Sequence, residues 1–256
     1  MKLYSKIHGD QGQDLIIIHG LFGMSDNWNS LGKKFAKYFK VHLIDLRNHG
    51  RSPHSDEFDY DVMCEDLFTY LNDHHIIKPI ILGHSLGGKV AMKFAFTYYE
   101  KIDKLIVADI APRKYNTDFH ENLLQKLSAL NLAHFTKRNE VDTALLSFIE
   151  EIGIRLFLLK NLYRDDKNNF KWRFNLKVLL EKIRNIQDDS FVHATCEVPT
   201  HFIRGENSDY INSTDEIIIK KHFSDFSITT INAAGHWLHA ENPEQFYQEV
   251  IRVTSV

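Results

Sequence analysis

The chain has 256 residues, 43% of them hydrophobic and 25% charged, which suits one large buried core and offers no run of about 20 apolar residues to cross a membrane. A net charge of −3 points to no nucleic-acid partner, and two cysteines, Cys64 and Cys196, are too few for a disulfide framework and are expected as buried thiols. Residues 1–10 hold no apolar core of signal-peptide length, so a cytoplasmic protein is expected.

Residues 1–8 read as a leading strand, turned at Gly9-Asp10-Gln11-Gly12. Leu15-Ile16-Ile17-Ile18 is the first fully apolar run, and His19-Gly20-Leu21-Phe22-Gly23 follows it. Residues 28–39 carry helical spacing, with apolar side chains at 28, 31, 35, 36, 38 and 39. The run Val41-His42-Leu43-Ile44 leads into the polar block Asp45-Leu46-Arg47-Asn48-His49-Gly50-Arg51-Ser52, in which Asp45 and Arg47 are expected to brace neighbouring loops. A helix is expected over 62–71, then a strand over 79–82, then Gly83-His84-Ser85-Leu86-Gly87-Gly88 and a helix over 89–98. Residues 105–108 and 200–203 read as further strands, followed by Asp109 and by Gly205-Glu206-Asn207-Ser208-Asp209. Residues 227–231 form the last strand, and Ala233-Ala234-Gly235-His236-Trp237 precedes a final helix opened by Pro243. Continuous apolar strands alternating with amphipathic helices predict an α/β fold, a mostly parallel doubly wound sheet.

Residues 113–190 break the alternation. They read as four helical pieces, 118–131, 139–150, 152–163 and 175–187, with no strand. They hold 14 Lys and Arg against 11 Asp and Glu, net +3, whereas the rest of the chain is net −6. The expected organisation is therefore a core of 1–112 and 191–256 with a helical lid of 113–190 inserted after a strand end.

Gly83-x-Ser85-x-Gly87 between strand and helix is the nucleophile elbow. The serine is forced onto a tight turn, and the flanking glycines avoid clashes with the neighbouring strand and helix. Ser85 needs a base, and among 15 histidines His236 fits best, in a loop after the last strand. His84, one along the elbow, should face elsewhere, and His239 should be structural. The orienting acid is Asp109, at the end of its strand, or Asp209. Many sites of this kind use the fourth position of Gly-x-x-Asp, which here is Ser208. Asp209 is displaced by one, so Asp109 is favoured, with Ser208 as an auxiliary hydroxyl and Asp209 as runner-up. Oxyanion donors are expected from the backbone of Leu86 and Leu21, with Phe22 as the alternative to Leu21. Phe22, Phe119, Leu123, Leu156, Trp172, Phe174 and Trp237 are the candidate pocket residues, Leu156 as part of the apolar run Leu156-Phe157-Leu158-Leu159. No metal or organic cofactor is required by this set.

These motifs resemble the α/β-hydrolase superfamily. Within it the chain is similar to the bacterial acyl-CoA esterase/thioesterase group, whose animal relatives include mitochondrial abhydrolase-domain proteins. The block of residues 45–52, Asp109-Ile110-Ala111-Pro112 and Trp172-Arg173-Phe174-Asn175 carry the more specific part of the resemblance. It implies Ser85 and His236 with Asp109 as acid and Ser208 close by, carboxylesterase activity on short acyl esters, and thioesterase activity on acyl-CoA. Carbon–carbon bond hydrolysis, lyase chemistry of the menaquinone pathway on the same fold, and a non-catalytic small-molecule receptor are the competing readings.

Overall fold

The computed structural model describes residues 1–187, 191 and 194–254. Its first strands are β1 (Ser5–His8), β2 (Asp14–Ile18) and β3 (Lys40–Ile44), with helix α1 (Asn29–Phe35) between the last two. Helix α2 (Tyr60–Asp73) starts where the Asp59 carboxylate accepts from the Val62 N–H, and leads to β4 (Ile80–His84). Helix α3 (Leu86–Thr97) begins three residues earlier than expected, because Ser85 is its N-cap. Strand β5 (Lys104–Ala108) follows.

Between β5 and the next strand of the main sheet lie α4 (Asp118–Ala129), α5 (Arg138–Leu146), α6 (Ile152–Leu159) and α7 (Leu176–Lys182). The absence of strands expected there is corrected by a hairpin, β6 (Leu162–Arg164) and β7 (Phe170–Trp172). Each of its strands has three residues, too short for a periodic signal. Its turn is held by Asp165, whose Oδ1 accepts from the N–H groups of Lys167 and Asn169. Residues 188–190 of the expected lid lie outside the described residues.

The chain closes with β8 (Thr200–Gly205), α8 (Asp215–His222), β9 (Phe226–Ile231), α9 (Leu238–Glu241) and α10 (Pro243–Thr254). Helix α8 was not anticipated from the sequence pattern. The seven-stranded sheet runs β1-β3-β2-β4-β5-β8-β9, parallel except for β1.

Both faces of the sheet are covered, which explains the unbroken apolar runs. Ile16, Ile81 and Val107 pack with Val90 of α3 and Met63 of α2. Leu15, Ile17, Leu82 and Ile106 pack with Phe35 of α1 and with Phe246 and Val250 of α10. The register aligns Ile18 with Ile44 and Gly83, and His84 with Ala108, so the residues after these strands emerge along one edge.

Candidate active site

Ser85 sits directly after β4 with φ +53° and ψ −116°, a conformation costly for a residue with a side chain. The surroundings over-determine it. Its N–H donates to Ala108 O (3.0 Å), and its carbonyl accepts from Lys89 N–H (3.0 Å). A Cβ on Gly83 would lie 2.3 Å from Gly87 O, and one on Gly87 would lie 2.4 Å from Ile18 O. The elbow therefore closes only with glycine at both places.

Asp109 is the next strand-end residue, fully buried and also at positive φ, +52°. Its N–H donates to Ile203 O (2.8 Å), extending the sheet ladder one step past β5. Its carboxylate is fully occupied. Gly205 N–H donates to Oδ1 (3.0 Å), His236 Nδ1–H donates to Oδ2 (2.8 Å), and Ser208 Oγ–H donates to the same oxygen. Asp209 is exposed and takes part in no hydrogen bond among the described residues.

His236 is fixed on several sides. Its backbone carbonyl accepts from His84 Nε2–H (2.7 Å). The Tyr210 ring stacks on its imidazole at 3.7 Å and 16°. The loop bearing it is tied to the loop after β8 by Asn207 N–H to Ala234 O (2.8 Å) and Ala233 N–H to the Glu206 carboxylate (2.7 Å). With Nδ1 donating to Asp109, Nε2 is left as the proton acceptor. Ser85 and His236 line one cavity without a hydrogen bond between them, and such contacts commonly tighten only with substrate in place.

The histidines around His236 are held neutral. Burial pushes His239 down to about 3, with the charge of His236 adding to the effect, and its ring stacks on Trp28 at 4.1 Å. Burial, then the neighbouring His239 and His236, holds His84 well below the ordinary histidine range. His19, whose Nδ1–H donates to Gly20 O (2.8 Å) and whose Nε2 accepts from Leu46 N–H (3.1 Å), is lowered to about 4 by burial.

The loop of residues 19–23 lies against the elbow. A Cβ on Gly20 would be 3.2 Å from the Ser85 Cβ, and Phe22 adopts φ +60°. Leu86 opens α3, so its N–H is one of those that a helix leaves without an internal partner. Asp45 and Arg47 brace this region. The Asp45 carboxylate accepts from Ser25 N–H (2.5 Å) and Arg51 N–H (2.8 Å), and the Arg47 guanidinium bonds Asp66 at 2.6 and 3.0 Å.

Ser85 stands between two cavities. The larger, about 600 Å³ including its mouth, is lined by Phe22, Phe119, Leu123, Ile154, Phe157 and Trp237 beside Ser85 and His236. The smaller, about 480 Å³ including its mouth, is lined by Leu86, Tyr60, Tyr115, Asn116, Thr117 and Tyr210. Leu21, Ser85 and His120 line both.

Of the expected pocket residues, Phe22, Phe119, Leu123 and Trp237 reach the larger cavity. Three do not. Leu156 is 52% exposed on the outer face of α6. Trp172 and Phe174 stack on each other at 5.4 Å and are buried, Phe174 also packing on Phe22 at 5.2 Å. They anchor their segment. Asn175, next in the chain, donates from its N–H to Asn48 O (2.8 Å) and from Nδ2 to Asn48 Oδ1 (3.0 Å). Phe157 and Leu158, in the expected apolar run with Leu156, also reach the larger cavity, whereas Ile154, His120 and Tyr210 were missed. Phe157 and Ile154 share a helical face, but neither His120 nor Tyr210 sits in a motif. Among the described residues, no group of three or more His, Cys, Asp and Glu could hold a metal ion, and no helix is long and apolar enough to cross a membrane.

A family model described as alpha/beta hydrolase fold matches residues 15–145. The sn-1-specific diacylglycerol lipase ABHD11 of Danio rerio is 36% identical over 245 residues, 93% of this chain and 77% of that protein. Esterase YbfF of Escherichia coli is 30% identical over 256 residues, 98% of both chains. Among solved structures, a marine microorganism esterase shares 40% identity and superposes with a TM-score of 0.94 over 98% of both chains.

Proposed function

Because this chain belongs to the α/β-hydrolase family, we propose that it hydrolyses carboxylic esters through an acyl-enzyme on Ser85. The observation that carries this reading is the Asp109–His236 hydrogen bond, 2.8 Å, beside a serine held at positive φ on the same sheet edge. In acylation, His236 Nε2 takes the Ser85 hydroxyl proton as Oγ bonds the acyl carbon. The oxyanion so formed is stabilised by the N–H groups of Leu86 and Leu21, Phe22 being the alternative to Leu21. Its collapse breaks the bond to the leaving oxygen, which receives the proton from His236. Water then attacks the acyl-enzyme, gives its proton to His236, and Ser85 leaves with that proton restored. Asp109 keeps His236 in the useful tautomer and stabilises its cation, with Ser208 and Gly205 holding the carboxylate.

Residues 113–190 serve as a lid over this edge, since side chains of α4 and α6 line the larger cavity. Thioesters of acyl-CoA undergo the same steps with a thiolate as leaving group, and the net +3 of the lid supports an anionic substrate. A panel of p-nitrophenyl esters and acyl-CoAs of increasing chain length tests the reading. Wild type is expected to turn over the esters, and Ser85→Ala to lose about 10⁴-fold or more in kcat with an unchanged fold. Ester turnover retained in Ser85→Ala would overturn it, and a KM for acyl-CoA that ignores salt would remove the argument for thioesters.

A further inference from the structure

His120, on α4, is one of three residues lining both cavities that meet at Ser85. No hydrogen bond to either ring nitrogen occurs among the described residues, and since Nδ1 is shut off from solvent, Nε2 is the nitrogen open to a ligand. Its ring instead touches aromatic neighbours, Phe119 at 5.5 Å and Phe22 at 6.3 Å between centroids. A buried polar atom left unpaired costs about 1–3 kcal/mol, and such atoms are rare enough in folded proteins to need a reason. A purely apolar wall here would be served better by Phe or Leu.

We propose that His120 is a substrate-binding residue that hydrogen-bonds a hydroxyl flanking the scissile ester, so that the preferred substrates are hydroxylated esters. This rests on the ester-hydrolase reading above. An ester bound at Ser85 with one arm in each cavity passes His120 whichever arm is the acyl group. In either neutral tautomer Nε2 offers an N–H or a lone pair, and a hydroxyl can accept the one or donate to the other. Burial pushes His120 down to about 4, with the charge of His236 adding to the effect, so the ring stays neutral in neutral solution. Neutrality matters for the reaction too. His236 becomes a cation as Ser85 attacks, and a second cation in the same low-dielectric cavity would oppose it.

Two matched pairs of esters test the proposal. Ethyl butyrate against 2-hydroxyethyl butyrate places the hydroxyl on the alcohol arm. Ethyl butyrate against ethyl 3-hydroxybutyrate places it on the acyl arm. The readout is the ratio of kcat/KM within each pair, for wild type, His120→Phe and His120→Asn, with thermal unfolding checked for each. Wild type is expected to favour the hydroxylated member of at least one pair by about 5- to 10-fold, the worth of one net hydrogen bond. His120→Phe, which keeps the ring and its packing, should bring that ratio close to one, and His120→Asn should recover part of it. If wild type shows no preference in either pair, or His120→Phe preserves the preference, His120 only packs and the proposal is wrong. If wild type turns over no ester at all, the hydrolase reading fails and takes this proposal with it.

Discussion

At the carboxyl edge of the sheet, Ser85 and Asp109 each follow a strand directly, and their N–H groups continue the ladder to Ala108 O and Ile203 O. The segment between β5 and β8 reaches the same cavities by different means. Phe119, His120, Ile154 and Phe157 project from α4 and α6, and those helices add nothing to the main sheet. Their placement rests on side-chain packing and on polar anchors to the core, among them Asn175 on Asn48, Asn161 on Phe22, His54 on Arg173, Asn185 on Phe58 and Arg113 on Asp215. Backbone hydrogen bonds therefore hold the groups proposed for the chemistry, whereas side chains hold the groups proposed to choose the substrate. The first arrangement tolerates changes of side chain around it except at Gly83 and Gly87, where any side chain meets backbone. The second changes with single substitutions.

The sharpest test of the first half is the acid. Asp109→Asn keeps the size of the side chain but offers an amide to His236 Nδ1, which favours the wrong tautomer. We expect kcat to fall about 10³- to 10⁴-fold. Asp209→Asn, on an exposed side chain with no hydrogen bond among the described residues, should stay within about twofold, as surface changes usually do. Steady-state kinetics on one p-nitrophenyl ester decides between them. Loss of turnover in Asp209→Asn alone would move the acid to the loop after β8.

The two regions also differed in how far their sequence could be read. Strands covered on both faces announce themselves as apolar runs, and the polar residue after each run marks the sheet edge. Ser85, Asp109 and His236 were singled out in this way, and the structure brings them to one edge of the sheet. The one-residue displacement of Asp209 pointed to Asp109, and the hydrogen bonds of the Asp109 carboxylate explain the geometry, since Ser208 stands at the fourth position of Gly-x-x-Asp and donates to it. The segment between β5 and β8 gave helices of about the right extent but hid the hairpin, whose strands are shorter than any period. Trp172 and Phe174 were read as pocket residues because they are aromatic and lie in that segment. Their depth under Phe22 is a tertiary fact that no local pattern carries. Tyr210 stacks on His236 for the same kind of reason, from a loop with no periodicity at all.

Asn161 tests the join between the regions. It is fully buried, and its Nδ2–H donates to Phe22 O (2.7 Å), while its own carbonyl accepts from Arg173 N–H (2.9 Å). It thus ties the loop of residues 19–23 to the hairpin. Asn161→Ala leaves the Phe22 carbonyl without this donor, at a residue already at positive φ. The expected cost in stability is about 1–3 kcal/mol, read by denaturant unfolding. Because the same loop is proposed to present an oxyanion donor, kcat should fall about 10-fold with less change in KM. A variant that loses stability and keeps kcat would show that the loop holds its shape without the anchor, and that the two regions are coupled only through packing.

The smallest effects separate the two faces of α6. The four consecutive apolar residues Leu156-Phe157-Leu158-Leu159 leave no periodicity from which to choose the inward face. In the structure Ile154, Phe157 and Leu158 line the larger cavity at helical spacing, and the Phe157 ring lies 5.9 Å from Trp237, while Leu156 faces out. Truncating a partly buried aromatic that touches an acyl chain removes contact without disturbing the reacting atoms. Phe157→Ala should therefore lower kcat/KM about 3- to 10-fold for the longer chains of a p-nitrophenyl ester series, and less for acetate, because only a long chain reaches the ring. Leu156→Ala should stay within about twofold along the whole series. A reversal, with Leu156 the more sensitive and its effect growing with chain length, would mean that α6 turns its other face to the site during turnover. The segment between β5 and β8 would then have to rotate on the sheet, and the anchors at Asn161 and Asn175 would be the points about which it turns.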